Sequence, residues 1–328
     1  MAEIAWGSFS AGVAGRLDED VAFILARARE LSLPNLGSMA PQAARAEFAR
    51  RLERTNPEPP AGVSSRDIAI PGPGGAVPLR IYAPEGGAKV KAALLYFHGG
   101  GFVVGDLETH DAICRIIAAR CGSFVVAVDY RMGPEQPYPA AVQDGLAALR
   151  WLADKPTELG GEALRLGLCG DSAGGSLGAV AALHARDLGI ALAVQILAYP
   201  AVDQGGTYAS RLRLAEGYLL TQADIDWFCA QYFRGHVLPV LAPDASPIRA
   251  ASHADLADAV IITAGFDPLA DEGRAYAETL AAAGNRVRHV CLEGAIHGCL
   301  GLARYLGCGK AALDEICTAW GFVCGEGD

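Results

Sequence analysis

Ser172 lies in Gly170-Asp171-Ser172-Ala173-Gly174, between an apolar run at 164–168 and a helical stretch rich in Ala and Gly. A strand–turn–helix carrying Gly-x-Ser-x-Gly holds the Ser backbone in a strained turn, so the flanking positions must be nearly free of side chain. Gly170, Gly174 and Gly175 meet that demand. The turn lifts the hydroxyl above the sheet, at a helix N-terminus whose dipole favours a developing negative charge. That is the setting of a serine nucleophile. An ordinary Gly-rich helix start is the plainer reading of the same residues. A second signal is His98-Gly99-Gly100-Gly101, directly after the apolar run 92–97. Three glycines at a strand end carry an entropic cost, which makes sense where bare N–H groups must approach an anionic oxygen. A flexible turn is the plainer reading here. A phosphate loop would need the Lys and Ser/Thr that are missing. His98 is read as holding this loop rather than as a catalyst or ligand.

A serine nucleophile needs a base, and the base needs an acid to fix its tautomer. One known order along the chain is Ser, then Asp or Glu, then His. Downstream of Ser172 lie His184, His236, His253, His289 and His297. His184 falls in the helix after the turn and His289 inside a strand. His297 follows the last strand, in Glu293-Gly294-Ala295-Ile296-His297-Gly298, and is the candidate base. Asp267 follows the run 259–263 at a strand end and is the candidate acid. Asp271 and Glu272 stand at a helix start, where carboxylates commonly cap. Asp171 reads as an acceptor that orders a loop.

These residues must be carried by a scaffold. From Arg66 onward a hairpin is followed by apolar runs at 92–97, 124–128, 164–168, 191–197, 259–263 and 287–292. Helical stretches at about 107–121, 138–154, 173–188, 271–283 and 303–320 separate or follow most of them. Buried strands joined by helices imply a mostly parallel sheet covered on both faces. Residues 1–62 read instead as two helices closed by Asn56-Pro57-Glu58-Pro59-Pro60. The expected division is a helical cap segment at 1–62 and a catalytic domain at 63–328, with 200–258, including a helix near 221–233, contributing to the cap. The stripe Val21, Ile24, Leu25, Ala28 is expected to wall the pocket. Trp6 and Phe9 are open between lid lining and packing.

Composition narrows the function. The chain has 328 residues, 52% hydrophobic and 20% charged, which excludes disorder as the main state. A net charge of −10 argues against nucleic acid and against anionic membranes. No apolar run approaches the ~20 residues that span a bilayer, and Met1-Ala2-Glu3-Ile4-Ala5-Trp6 does not read as a secretory signal. Nine cysteines without Cys-x-x-Cys or zinc spacing read as thiols in a reducing cytoplasm. Cys299 stands out among them because it follows His297 so closely.

The sequence also resembles the hormone-sensitive-lipase-like (family IV) carboxylesterases, in the branch whose turn reads Gly-Asp-Ser-Ala-Gly. The resemblance runs from about Leu79 to Gly298. It includes His98-Gly99-Gly100-Gly101-Phe102, Gly105 to Asp111, Asp129-Tyr130-Arg131 with Pro134-Glu135-Gln136-Pro137-Tyr138-Pro139-Ala140-Ala141, Tyr199-Pro200, and Asp267-Pro268-Leu269 with Asp271-Glu272. It implies an α/β-hydrolase fold with a helical cap and a triad on Ser172, Asp267 and His297. It places the oxyanion-hole amides on Gly100, Gly101 and Ala173. The chain departs from the family pattern at Met132-Gly133, at Gln136 and at Cys299, the last bearing on packing around the base. The expected activity is hydrolysis of short- to medium-chain carboxylic esters through an acyl-enzyme. It needs no metal or cofactor and no partner beyond a small-molecule ester and a candidate homodimer. Amide or lactone hydrolysis by the same triad, and a non-catalytic small-molecule receptor on this fold, remain alternatives.

Overall fold

The computed structural model describes residues 4–10, 15–86, 90–154, 157–160, 164–234 and 241–325. Eight strands form one sheet: β1 (Val63–Gly72), β2 (Gly75–Pro84), β3 (Ala92–Phe97), β4 (Phe124–Val128), β5 (Arg165–Asp171), β6 (Val194–Ala198), β7 (Asp258–Phe266) and β8 (Val287–Ile296). Their order is β1-β2-β4-β3-β5-β6-β7-β8. The β1–β2 and β2–β4 pairs are antiparallel, and every later pair is parallel. The helices are α1 (Glu19–Glu30), α2 (Pro41–Thr55), α3 (Asp111–Cys121), α4 (Ala140–Ala153), α5 (Ala173–Leu188), α6 (Ala209–Arg213), α7 (Gln222–Phe233), α8 (Ala270–Ala282) and α9 (Gly307–Gly325).

The central strands β3 to β7 are almost wholly buried because both faces are covered, as parallel sheets require, whereas the antiparallel β1 and β2 keep exposed positions. Alternation then decides which layer each side chain joins. On β3, Leu94 and Tyr96 pack with Ile113 and Ile117 of α3 and Trp320 of α9. Ala93, Leu95 and Phe97 face the other layer, with Leu149 of α4 and Leu177 of α5. With five adjacent parallel pairings, the C-terminal ends of β3 and β5–β8 open along one edge, and the loops that leave them meet there.

The N-terminal segment differs from expectation. Val21 and Leu25 of α1 are buried with Ala295, Ile296, Leu300 and Leu306. The stripe therefore covers the β8 and α9 side of the sheet and does not wall the pocket; that wall comes from α2 and the turn before it. The reason is the long path of the chain. Residues 7–10 run beside β8, where Gly7 N–H donates to Val287 O at 2.8 Å and His289 N–H to Ser8 O at 2.9 Å. This anchors α1 nearby. Phe9 tilts against the His289 ring and Trp6 lies under Arg286, so both pack on this edge. No helix among the described residues is long and apolar enough to cross a membrane.

Candidate active site

β5 ends at Asp171 and α5 starts at Ala173, leaving Ser172 alone in the turn with φ 54° and ψ −119°. Such a backbone is costly for a residue with a side chain and is held only where its surroundings demand it. Two contacts hold it: Ser172 N–H donates to Ala198 O at 2.9 Å, and Ala201 N–H donates to Ser172 O at 3.2 Å. The turn also sits hard against β3. A Cβ at Gly174 would lie 2.0 Å from Phe97 O, so no other residue fits there.

The turn brings Ser172 to His297, which follows β8, and His297 to Asp267, which follows β7. The Ser172 hydroxyl lies 2.9 Å from His297 Nε2, and His297 Nδ1 lies 2.7 Å from Asp267 Oδ2. Asp267 is fully buried, and its second oxygen accepts from Leu269 N–H at 2.8 Å. With Nδ1–H turned to a carboxylate, Nε2 presents its lone pair to the serine hydroxyl. Tyr199 stands edge-on to the imidazole, ring centres 4.8 Å apart.

Gly99-Gly100-Gly101 leaves β3 beside this relay. Gly99 N–H donates to Asp171 Oδ1 at 3.0 Å, and the same oxygen accepts from Tyr96 Oη at 2.8 Å. Asp171 is thus the loop-ordering acceptor that its position suggests. Burial pushes its carboxyl up, but His110 and the Tyr96 hydroxyl outweigh that and leave it below the usual range. Gly100 takes φ +123°, and a Cβ there would meet Val104 O at 2.0 Å. Among the described residues the amides of Gly100, Gly101 and Ala173 donate to no protein acceptor. His98 holds the loop: its Nδ1 faces Gly99 O at 2.8 Å, and its ring stacks on Tyr130 at 4.3 Å. Burial and the neighbouring His110 bring it down to about 4, so it is neutral near pH 7.

The other candidates lie elsewhere. His184 pairs with Asp244, His253 with Pro247 O and His289 with Thr263. His236 is outside the described residues. Asp271 accepts from Ser210 N–H and Glu272 pairs with Arg211, so both secure α6 rather than cap α8. Cys299 is buried, and the neighbouring Cys308 of α9 together with that burial pushes its thiol up.

A pocket opens over Ser172 and His297. Leu36, Phe48 and Leu52 line it from the N-terminal segment, and Leu219, Ile225 and Phe228 from α7 and the loop before it. Arg211, Gln204 and Cys229 also line it. Sequence reasoning missed the packing of Tyr199 against His297, and missed Arg211. The signal for Tyr199 was its place at the end of β6, beside the strands that carry the relay.

A family model described as alpha/beta hydrolase fold matches residues 94–301. The chain is 38% identical over 309 residues to carboxylic ester hydrolase LipN of Mycobacterium tuberculosis, covering 92% of this chain and 82% of that protein. It is 39% identical over 230 residues to an ethyl acetate hydrolase of Pseudomonas putida, covering 68% and 71%. Among solved structures, a hyperthermophilic esterase from the archaeon Pyrobaculum calidifontis superposes with a TM-score of 0.87 at 38% identity, covering 94% of this chain and 99% of that one.

Proposed function

The chain belongs to the alpha/beta hydrolase fold family and is an ester hydrolase, and on that premise we propose a serine carboxylesterase whose triad is Ser172, His297 and Asp267. The observation that carries this reading is the unbroken relay at the pocket floor, 2.9 Å from hydroxyl to imidazole and 2.7 Å from imidazole to buried carboxylate. Ser172 Oγ attacks the ester carbonyl as His297 Nε2 takes its proton. Asp267 holds the Nδ1 proton in place and stabilises the imidazolium that forms. The oxyanion develops toward the amides of Gly100, Gly101 and Ala173, which spend no hydrogen bond on the protein. His297 then returns its proton to the departing alkoxide. Water, activated by the same nitrogen, releases the acid from the acyl-enzyme.

The cap belongs to the same reading. In this account Leu36 to Leu52 and Leu219 to Phe233 roof the pocket, exclude water and receive short- to medium-length apolar chains. The test is labelling with a fluorophosphonate, followed by peptide mapping. One labelled peptide, containing Ser172, is expected. Ser172→Ala should take no label and lose about a thousandfold or more in turnover, with its melting temperature retained. Normal turnover by that variant would overturn the assignment.

A further inference from the structure

Arg211 stands in the wall of the pocket that holds Ser172 and His297, although it is only 8% exposed. Its Nε and Nη2 donate to Glu272 Oε2 at 3.0 and 2.7 Å, and Nη2 donates also to Asp203 O at 3.0 Å. Glu272 is fully buried, and its other oxygen accepts from Asp203 N–H at 3.3 Å. The neighbouring Asp203 carboxylate is held by Arg249 at 2.8 and 3.1 Å and by Tyr208 Oη at 3.0 Å. The charges therefore balance in pairs, Arg211 with Glu272 and Arg249 with Asp203.

The donors do not balance. A guanidinium carries five N–H groups in a fixed plane, two of them on Nη1. Among the described residues Arg211 Nη1 donates to no protein acceptor. Its polar neighbours in the wall do not serve it. Gln204 donates to Ala201 O at 2.9 Å, and its side-chain oxygen accepts from Cys229 Sγ at 3.6 Å. Outside the relay the other polar side chains of the wall are Arg51, Thr55, Asp171, Asp224 and Tyr232, and none of them accepts from Nη1. Nη1 is not among the buried polar atoms that lack a partner, so it keeps access to the pocket, where an acceptor on a bound molecule can replace water as its partner.

We propose that Arg211 Nη1 is a specificity-determining donor that binds a neutral acceptor oxygen of the substrate, remote from the scissile ester. The favoured substrates are then esters carrying a second oxygen function, a ketone, ether or further ester, over plain alkyl esters of the same length. A carboxylate is disfavoured at this point. It would add a third buried anion, beside Glu272 and Asp203, to only two guanidiniums. The inference rests on the reading of Ser172 as the nucleophile that opens the pocket's chemistry.

The test compares kcat/KM within matched pairs, each corrected for its hydroxide-catalysed rate. One pair varies the acyl side, p-nitrophenyl 4-oxopentanoate against pentanoate. The other varies the alcohol side, 2-methoxyethyl acetate against butyl acetate. The monosuccinate p-nitrophenyl ester supplies the carboxylate. In the wild type one pair should favour the oxygenated member by about tenfold, the factor that one charge-assisted hydrogen bond gives. The monosuccinate should be the poorest of the acyl set. Arg211→Lys keeps a cation beside Glu272 but removes Nη1. Arg211→Met combined with Glu272→Gln removes the pair together, so that no buried charge is left alone. Either variant that melts cooperatively should lose the preference while still hydrolysing the alkyl esters. A wild type without preference in either pair overturns the proposal, whatever the variants do. So does a preference that survives both substitutions. Failure of the wild type on every ester would instead count against Ser172 as the nucleophile.

Discussion

Gly37 N–H donates to Asp224 Oδ1 at 2.8 Å, joining the turn before α2 to the first turn of α7 across 187 residues of sequence. The other Asp224 oxygen accepts from Thr221 N–H at 3.1 Å, and Thr221 Oγ1 accepts from Asp224 N–H at 3.0 Å, which closes a capping box. One buried carboxylate thus starts α7 and ties it to the N-terminal half of the pocket roof. α2 is fixed in turn by Arg45, which donates to Val103 O and Gly133 O, each at 2.8 Å.

Asp224→Ala should loosen the roof as well as the helix. Losing the cap costs about 1 kcal/mol, a fall of roughly 2–4 °C in melting temperature for a chain of this class. Losing the tie should raise KM for hexanoate and octanoate esters more than for acetate, with kcat on acetate little changed. Steady-state kinetics across acyl lengths, alongside thermal melts, checks both. A lower melting temperature with KM unchanged at every length would reduce Asp224 to a helix cap.

Asp267 and Asp271 stand four residues apart and have different duties. Asp267 is fully buried against His297, whereas Asp271 accepts from Ser210 N–H at 2.8 Å. Asp267→Asn should present the imidazole in the wrong tautomer and lower kcat by about 10⁴-fold. Asp271→Asn should slacken α6 and leave most turnover. kcat values for the two purified variants on one acetate ester decide the matter, and the reverse ranking would move the acid to Asp271.

Two buried imidazoles set an acid limit on stability. Burial and the charge of Arg274 hold His289 at about 4, and burial and His110 hold His98 at about 4. An unfolded histidine titrates near 6.5. Between about pH 4 and 6.5 the unfolded chain therefore binds more protons, and stability rises with pH. As pH falls through that window each ring costs the fold up to about 3 kcal/mol. His289→Gln keeps a donor for Thr263 and removes one titration. Its melting temperature should fall less steeply than the wild type's from pH 6.5 to 4. Parallel curves would show that His289 is not among the groups responsible.

The relay was legible in the sequence because each member sits at a strand end within a short local pattern. Gly170 to Gly174 marks the turn after β5, and Asp267 and His297 directly follow β7 and β8. The glycines after His98 showed the same locality. The pocket was less legible. α1 and α2 both carry apolar stripes, and nothing within either stripe says which one meets the cavity. That was decided by backbone bonds of residues 7–10 to β8, some 280 positions away. The roles of Asp224 and Arg211 were hidden for the same reason. A carboxylate in the first turn of a helix looks like a cap, and its second partner at Gly37 has no local signature. Arg211 gains meaning only once Glu272 and the pocket are placed around it. Cys299 drew notice by its closeness to His297 in sequence, yet the group that acts on its thiol is Cys308, nine residues on.

The division of labour between α1 and α2 gives the last prediction. Leu25 is 3% exposed and packs in the layer that contains Ile296 and Leu306, whereas Phe48 lines the pocket. Leu25→Ala should leave a cavity in a closed core and lower stability by about 2–5 kcal/mol. It should not change the order in which esters are preferred, because no atom of the pocket wall has been removed. Phe48→Ala removes a ring from the wall itself. Its stability should fall less, since the ring is only partly buried, and the space opened should admit longer chains. The optimum on p-nitrophenyl esters from two to twelve carbons should therefore move upward by two or more carbons, each added methylene being worth about 0.8 kcal/mol where it becomes buried. Both variants are measured against the wild type by melts and by kcat/KM at each length. A shifted profile for Leu25→Ala with an unshifted one for Phe48→Ala would put α1 back over the pocket and displace α2 from the roof.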